Sequence, residues 1–320
     1  MPRFIILSEP RTGSTYLMSL LNVHFEVNCE EELLGKQKGP RKDPLGDVNR
    51  QLSALRQPVV GFKAMPLDLL YHQLTIRELV RRLKVKWVIV IWRENCLEMY
   101  ASLQIALRTG VWWSEKPKKK AEVVKVKGRK FMRHLVETER RWNDVVRGWP
   151  LDVVPIFVKY EELVRNTTSE MRRILRCMTV DPLDYVFQGR GRRQNPAPVS
   201  QKVSTWDDLT ENERTASVDI PSIVNGAISR VARDLNIPKE CVYLLPDREP
   251  PSPPAGWLYR VSESYVTGDA GENVVDAVDC GSVSSSAARW PQEMSEKLKK
   301  IFGTPVAALL QRVCSLCPDA

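Results

Sequence analysis

Phe4-Ile5-Ile6-Leu7 is a short continuous apolar run, followed closely by Pro10, Gly13 and a helical pattern carrying Leu17, Leu20 and Leu21. A buried strand, a turn and a helix start in that order constrain the fold more than any other stretch of the chain. Pro10 ends the strand pairing and Gly13 permits a close turn, after which Ser14 and Thr15 open the helix. Free backbone N–H groups at the positive end of such a helix face an anion of phosphate size, with the hydroxyls and Arg11 beside it. A nucleotide kinase or GTPase loop needs two glycines separated by four residues and then Lys-Ser or Lys-Thr. This chain has no such ending, and Arg11 takes the place of that lysine.

Three more apolar runs have strand character, at 59–63, 87–92 and 153–159, and helical patterns at 67–83, 97–107 and 131–149 separate them. Continuous apolar strands alternating with amphipathic helices predict an α/β fold with a mostly parallel central sheet flanked by helices. Ligands of such sheets sit at the carboxyl ends of the strands, where Arg11, Lys63 and Arg93 fall. Residues 36–55, rich in Gly, Pro and charge, are expected to be a surface excursion. Proline clusters at 246–254 and serine at 282–286. The expected organisation is therefore an α/β domain over 1–245, a Pro/Ser-rich linker or excursion over 246–289, and a helical segment over 290–320 docked on the same domain.

A chain of 320 residues with 43% hydrophobic content can bury a full core. It has no run of about 18 apolar residues and no charged-apolar-small leader, so the expectation is a cytoplasmic protein without a membrane anchor. Seven cysteines, an odd and scattered set, argue against a disulfide framework. Cys314 and Cys317 form a single CxxC with no second pair or histidine cluster, and no metal is expected. Of the net charge of +9, almost all comes from 116–133, with nine Lys or Arg against Glu122 alone. That is a patch suited to an anionic substrate or to solvent. Nucleic-acid binding would favour interleaved aromatics or a known module, and neither is present.

A second constellation ends the third strand run and enters the helical pattern behind it: Val90-Ile91-Trp92-Arg93-Glu94-Asn95-Cys96-Leu97, then Ser102. An arginine at a strand's end and a serine two turns into the next helix can converge on one phosphate. Two weaker stretches come later, Val158-Lys159-Tyr160-Glu161-Glu162-Leu163 and the basic run from Arg192 and Arg193 to Lys202.

Residues 10–15 resemble the 5′-phosphosulfate loop of sulfotransferases that use 3′-phosphoadenosine 5′-phosphosulfate (PAPS), and Arg93 with Ser102 resembles their 3′-phosphate motif. The well-known cytosolic members place the serine eight residues after the arginine and have Asn-Pro behind it. Here the interval is nine, with Glu-Asn. The Tyr160 stretch resembles the family's strand-end Tyr-Glu-Asp-Leu signature, and 192–206 its late basic loop over the co-substrate. The first motif continues through Leu17-Met18, His24, Val27, Cys29 and Glu31-Glu32 at tyrosylprotein-sulfotransferase-like spacing. The resemblance covers roughly 3–35, 58–110 and 150–210, and it implies a P-loop-NTPase-like sulfotransferase fold.

It also implies roles. Glu32 is the expected general base, with Glu31 as its rival, and Arg11 and Lys63 form an electrostatic clamp. Thr12, Gly13, Ser14 and Thr15 would serve the 5′ side of PAPS, Arg93 and Ser102 the 3′-phosphate, and Arg192, Arg193 and Lys202 further phosphate contacts. The implied reaction moves a sulfuryl group from PAPS to a hydroxyl, or an amine, of a small-molecule or carbohydrate acceptor and releases 3′,5′-ADP. The histidine base of cytosolic members is expected two residues beyond Lys63, where this chain has Met65. His24, His72 and His134 are read as structural or exposed. The alternatives are a P-loop-fold nucleotide or small-molecule kinase and a catalytically silent binding protein.

Overall fold

Apolar strands need cover on both faces, and helices supply it in the computed structural model, which describes residues 1–35, 39, 41–112, 122–182, 187 and 198–234. In chain order the elements are β1 (Arg3–Ser8), α1 (Ser14–Leu21), β2 (Val27–Glu32), α2 (Pro44–Ser53), β3 (Val59–Ala64), α3 (Pro66–Tyr71), α4 (Ile76–Leu83) and β4 (Val85–Trp92). They are followed by α5 (Cys96–Thr109), α6 (Gly128–Val145), β5 (Pro155–Lys159), α7 (Tyr160–Arg165), α8 (Thr167–Cys177), α9 (Val199–Lys202), α10 (Glu211–Thr215) and α11 (Ile220–Asp234). The strands form one all-parallel sheet in the order β2-β3-β1-β4-β5. The first strand of the sequence thus lies at the centre, and its carboxyl end opens into the Pro10–Thr15 turn.

Residues 1–228 form one compact unit and 229–320 a second, of which 229–234 are described. The expected linker at 246–289, the expected helical segment at 290–320, and Cys314 and Cys317 lie outside the described residues. No helix among the described residues is long and apolar enough to cross a membrane.

Three expectations need correction. The sheet has a fifth strand, β2, whose sequence Val-Asn-Cys-Glu-Glu-Glu buries Val27 and Cys29 but carries glutamates where an apolar run would show. It is an edge strand, hydrogen-bonded only to β3, so one apolar side suffices. The 36–55 stretch is no mere excursion, because it contains α2. Pro44 occupies its first turn, Asp43 caps it by accepting from the Gly46 N–H at 3.1 Å, and Leu45, Val48 and Leu52 are buried. Finally, the pattern over 67–83 is two helices. Gln73 takes a left-handed φ of 55°, and Thr75 restarts the chain with a capping box to Glu78.

One face of the sheet packs on α1 and α8, and on the other Ile5, Leu7, Val88 and Val90 are buried as well. Phe4, Ile6, Ile89, Ile91 and Val158 pack with Leu17, Leu20 and Leu21 of α1 and with Met171, Ile174 and Leu175 of α8. Ile6 is fully buried in the central strand. Ile6→Ala is expected to cost about 2–5 kcal/mol of stability, because surrounding strands cannot close on the lost volume. Denaturant unfolding checks it, and a loss below about 1 kcal/mol would contradict this placement of the core.

Candidate active site

The turn after β1 is held from below by buried polar groups. Thr12 Oγ1 donates to the Glu9 carbonyl at 2.8 Å, and the Glu9 carboxylate meets Arg141 of α6 at 3.2 Å. Burial pushes the Glu9 carboxyl above its usual range, against the opposing pull of Arg141. Arg11 and Gly13 both take left-handed backbone, with φ of 67° and 91°. For Gly13 that conformation is free, whereas Arg11 bears strain of about 1 kcal/mol. As the N-cap of α1, Gly13 brings no side-chain acceptor, so the N–H groups of the first turn remain available to an anion.

The neighbouring strands bring a cation and a carboxylate to the same helix end. Lys63, near the end of β3 and 7% exposed, donates to Thr15 Oγ1 at 3.1 Å and pairs with Glu32 at 2.8 Å. A bulge decides which glutamate meets the lysine. In the β2·β3 register Glu30 pairs with Phe62 and Glu32 with Lys63, so Glu31 is the extra residue, and it is exposed. Without the bulge the register would have set Glu31 opposite Lys63. Glu32, Lys63 and Thr15 thus form one chain of contacts at the start of α1.

On the other side of the turn lie two arginines. Arg93, just past β4, is 7% exposed, pairs with Glu98 of α5 at 2.6 Å and lies 3.9 Å from Glu161. Its Nε is buried without a hydrogen-bond partner among the described residues. The guanidinium sits over the Tyr160 ring, 4.6 Å from its centroid, and the same ring fills the space beside Gly13. Arg11 turns toward α5, where its Nε donates to Ser102 Oγ at 3.0 Å and its Nη1 to the Trp112 carbonyl. Burial first, and the charge of Arg93 second, push the Arg11 guanidinium below its ordinary value. An anion placed between the two arginines relieves that repulsion.

Glu32, Lys63 and Thr15 are in contact, with Gly13 and Ser14 at the same helix start. Ser102, two turns into α5, accepts from Arg11 Nε at 3.0 Å. Lys202 is no solvated loop cation: it is 3% exposed, at the end of α9, and paired with Glu98. The Thr12 hydroxyl is used within the turn. Arg192, Arg193 and residues 116–121 of the basic patch lie outside the described residues. His24 is buried, with Nε2 bonded to the Asp181 carbonyl, and His72 bonds the Leu34 carbonyl, as structural histidines do. His134 contacts Tyr100 within the helical layer, and burial lowers its pKa. Among the described residues no cluster of His, Cys, Asp or Glu is arranged to hold a metal.

Sequence reasoning missed Glu98 and undervalued Tyr160 and Glu161. Glu161 accepts from the N–H groups of Glu94 and Asn95, at 3.3 and 3.5 Å, and so tethers the start of α5 to the end of β5. A glutamate in the first turn of a helix is ordinarily a dipole partner, and nothing local marks Glu98 as a bridge.

No family model matches the chain. Nodulation protein H of Rhizobium tropici is 33% identical over 126 residues, which are 36% of this chain and 50% of that protein, so the match spans about half the length of this curated relative. Among solved structures, a sulfotransferase from Alicyclobacillus acidocaldarius matches at 12% identity and a TM-score of 0.41, over 74% of this chain and 97% of that one. The sulfotransferase domain of the Synechococcus PCC 7002 olefin synthase matches at 16% identity and 0.38, over 71% and 94%. The sulfotransferase domain from the curacin biosynthetic pathway matches at 13% and 0.34, over 74% and 99%. These scores, all below 0.5, mark loose likenesses; the chain resembles sulfotransferases through its own motifs and the way the fold brings them together.

Proposed function

We propose that the chain is a sulfotransferase that moves the sulfuryl group of PAPS to a hydroxyl, or an amine, of a small-molecule or carbohydrate acceptor and releases 3′,5′-ADP. The observation that carries this reading is the contact chain from Glu32 through Lys63 to Thr15 at the start of α1. It sets a carboxylate, a cation and a helix N-terminus within one small space. Sulfuryl transfer needs those three functions.

The acceptor O–H or N–H gives its proton to the Glu32 carboxylate as the acceptor atom forms its bond to sulfur. The bond from sulfur to the bridging oxygen of the 5′-phosphate breaks in the same step, and that oxygen takes the electron pair. Lys63, Arg11 and the N–H groups of α1 supply the positive field for the charge that develops there. Most of the rate comes from positioning and electrostatics, as in phosphoryl transfer. Arg93, whose buried Nε–H makes no hydrogen bond among the described residues, and Ser102, which accepts from Arg11, would together take the 3′-phosphate. The cation near the loop comes from β3 and not from a lysine at the loop's end, which disfavours an ATP-dependent kinase.

A screen of hydroxyl and amine acceptors with PAPS as donor tests the reading. Expected is sulfated acceptor and an equal amount of 3′,5′-ADP. Acceptor phosphorylation from ATP, with none from PAPS, would overturn it. For the donor site, Arg93→Ala is expected to cost about 1.5–3 kcal/mol in 3′,5′-ADP binding and much less in 5′-AMP binding. Equal losses for both nucleotides in calorimetry would remove Arg93 from the 3′-phosphate site.

A further inference from the structure

Glu98 places one carboxylate between two buried cations from distant parts of the chain. Its Oε2 meets Arg93 Nη2 at 2.6 Å, at the end of β4, and its Oε1 meets Lys202 Nζ at the end of α9. All three residues are buried, at 8%, 7% and 3% exposure. Glu98 is itself fixed from behind, since its N–H donates to the Asn95 side chain at 2.8 Å. The Lys202 end is fixed too, because the Val124 N–H donates to the Lys202 carbonyl at 2.8 Å and Val124 bridges Val203.

Two cations do not share a buried space unless an anion holds them there. Arg93 has other restraints, the Tyr160 ring and Glu161. The ammonium of Lys202 sits at the end of a flexible stem, and its bond to the Glu98 carboxylate helps to direct it.

Resting on the proposed reading of Arg93 as the 3′-phosphate group's partner, we infer that Glu98 is a positioning residue that couples Arg93 to Lys202, so that the two cations act on the 3′-phosphate as one unit. Glu98 touches neither the reacting atoms nor the nucleotide. It makes the donor site selective for a nucleotide with a 3′-phosphate by fixing where the two positive charges point. Without it, the cations repel and turn apart.

Calorimetry of the full chain with 3′,5′-ADP and 5′-AMP tests this on Glu98→Gln, Lys202→Met and the double variant. Each single change is expected to weaken 3′,5′-ADP about tenfold while 5′-AMP changes less than about twofold, and the double variant to be no weaker than the worse single one. A structural role alone would weaken both nucleotides equally, which would overturn the inference. Unchanged or tighter 3′,5′-ADP binding in Glu98→Gln would overturn it as well, the latter marking Glu98 as a competitor of the phosphate. If Glu98→Gln does not fold, Lys202→Arg and Lys202→Met decide. Arginine keeps the charge-assisted bond to Glu98 and is expected to retain the selectivity that methionine loses, while equal selectivity in the two would refute the coupling. A wild-type chain that does not prefer 3′,5′-ADP to 5′-AMP refutes the underlying donor-site reading and the inference with it. A wild type that prefers it, with variants that keep the preference, refutes the inference alone.

Discussion

Glu32→Gln is expected to lower sulfuryl transfer by roughly 10²–10⁴-fold while 3′,5′-ADP binding persists. The substitution keeps the size of the side chain and a hydrogen-bond acceptor for Lys63, 2.8 Å away, but removes the group that takes the acceptor's proton. Glu31→Gln is the internal control. Glu31 is the bulged residue of β2, exposed and without a register partner in β3, so turnover should change by less than about twofold. Steady-state rates with a fixed acceptor check both. Turnover that survives Glu32→Gln and collapses with Glu31→Gln would mean that the base has been misassigned.

The second large effect is expected at Gly13. A Cβ there would lie 2.3 Å from the Tyr160 ring, on a backbone with φ of 91°. Gly13→Ala therefore combines left-handed strain of about 1–2 kcal/mol with overlap costing about 1–3 kcal/mol. Relief requires the ring to move, and the ring is also the surface on which Arg93 stacks. The variant should lose stability by about 2–5 kcal/mol and 3′,5′-ADP affinity by more than about tenfold. Gly110→Ala separates the two causes. Gly110 has φ of 67° with nothing within 4 Å of the added carbon, so it incurs the strain without the overlap. Thermal unfolding and calorimetry of the pair check this; wild-type behaviour of Gly13→Ala would contradict the packing of Tyr160 on the turn.

The fold was legible where burial wrote a continuous apolar run. β1, β3, β4 and β5 are such runs, and their parallel pairing follows from the helices between them. β2 escaped because an edge strand with one covered side can carry Glu30, Glu31 and Glu32, and α2 because Pro44 and Gly46 read as loop residues although Leu45, Val48 and Leu52 keep helical spacing. In the site, Arg11, Gly13, Lys63 and Arg93 were legible because each ends or follows a strand. The choice between Glu31 and Glu32 was not, since a bulge is a property of two strands at once. Ser102 was read from its place two turns into the helix after Arg93, its bond to Arg11 was not foreseen, and Glu98 was not found at all. Its role is a bridge between residues 5 and 104 positions away, and no local pattern records such a contact.

Titration of the wild-type chain with 3′,5′-ADP, 5′-AMP and ATP is the most direct measurement of whether the turn after β1 is a PAPS site. With Arg93 and Arg11 beside a helix N-terminus, 3′,5′-ADP should bind tightest, at least about tenfold more tightly than 5′-AMP, and ATP more weakly than 3′,5′-ADP. ATP binding as tightly as 3′,5′-ADP, or no binding of 3′,5′-ADP at all, would contradict it.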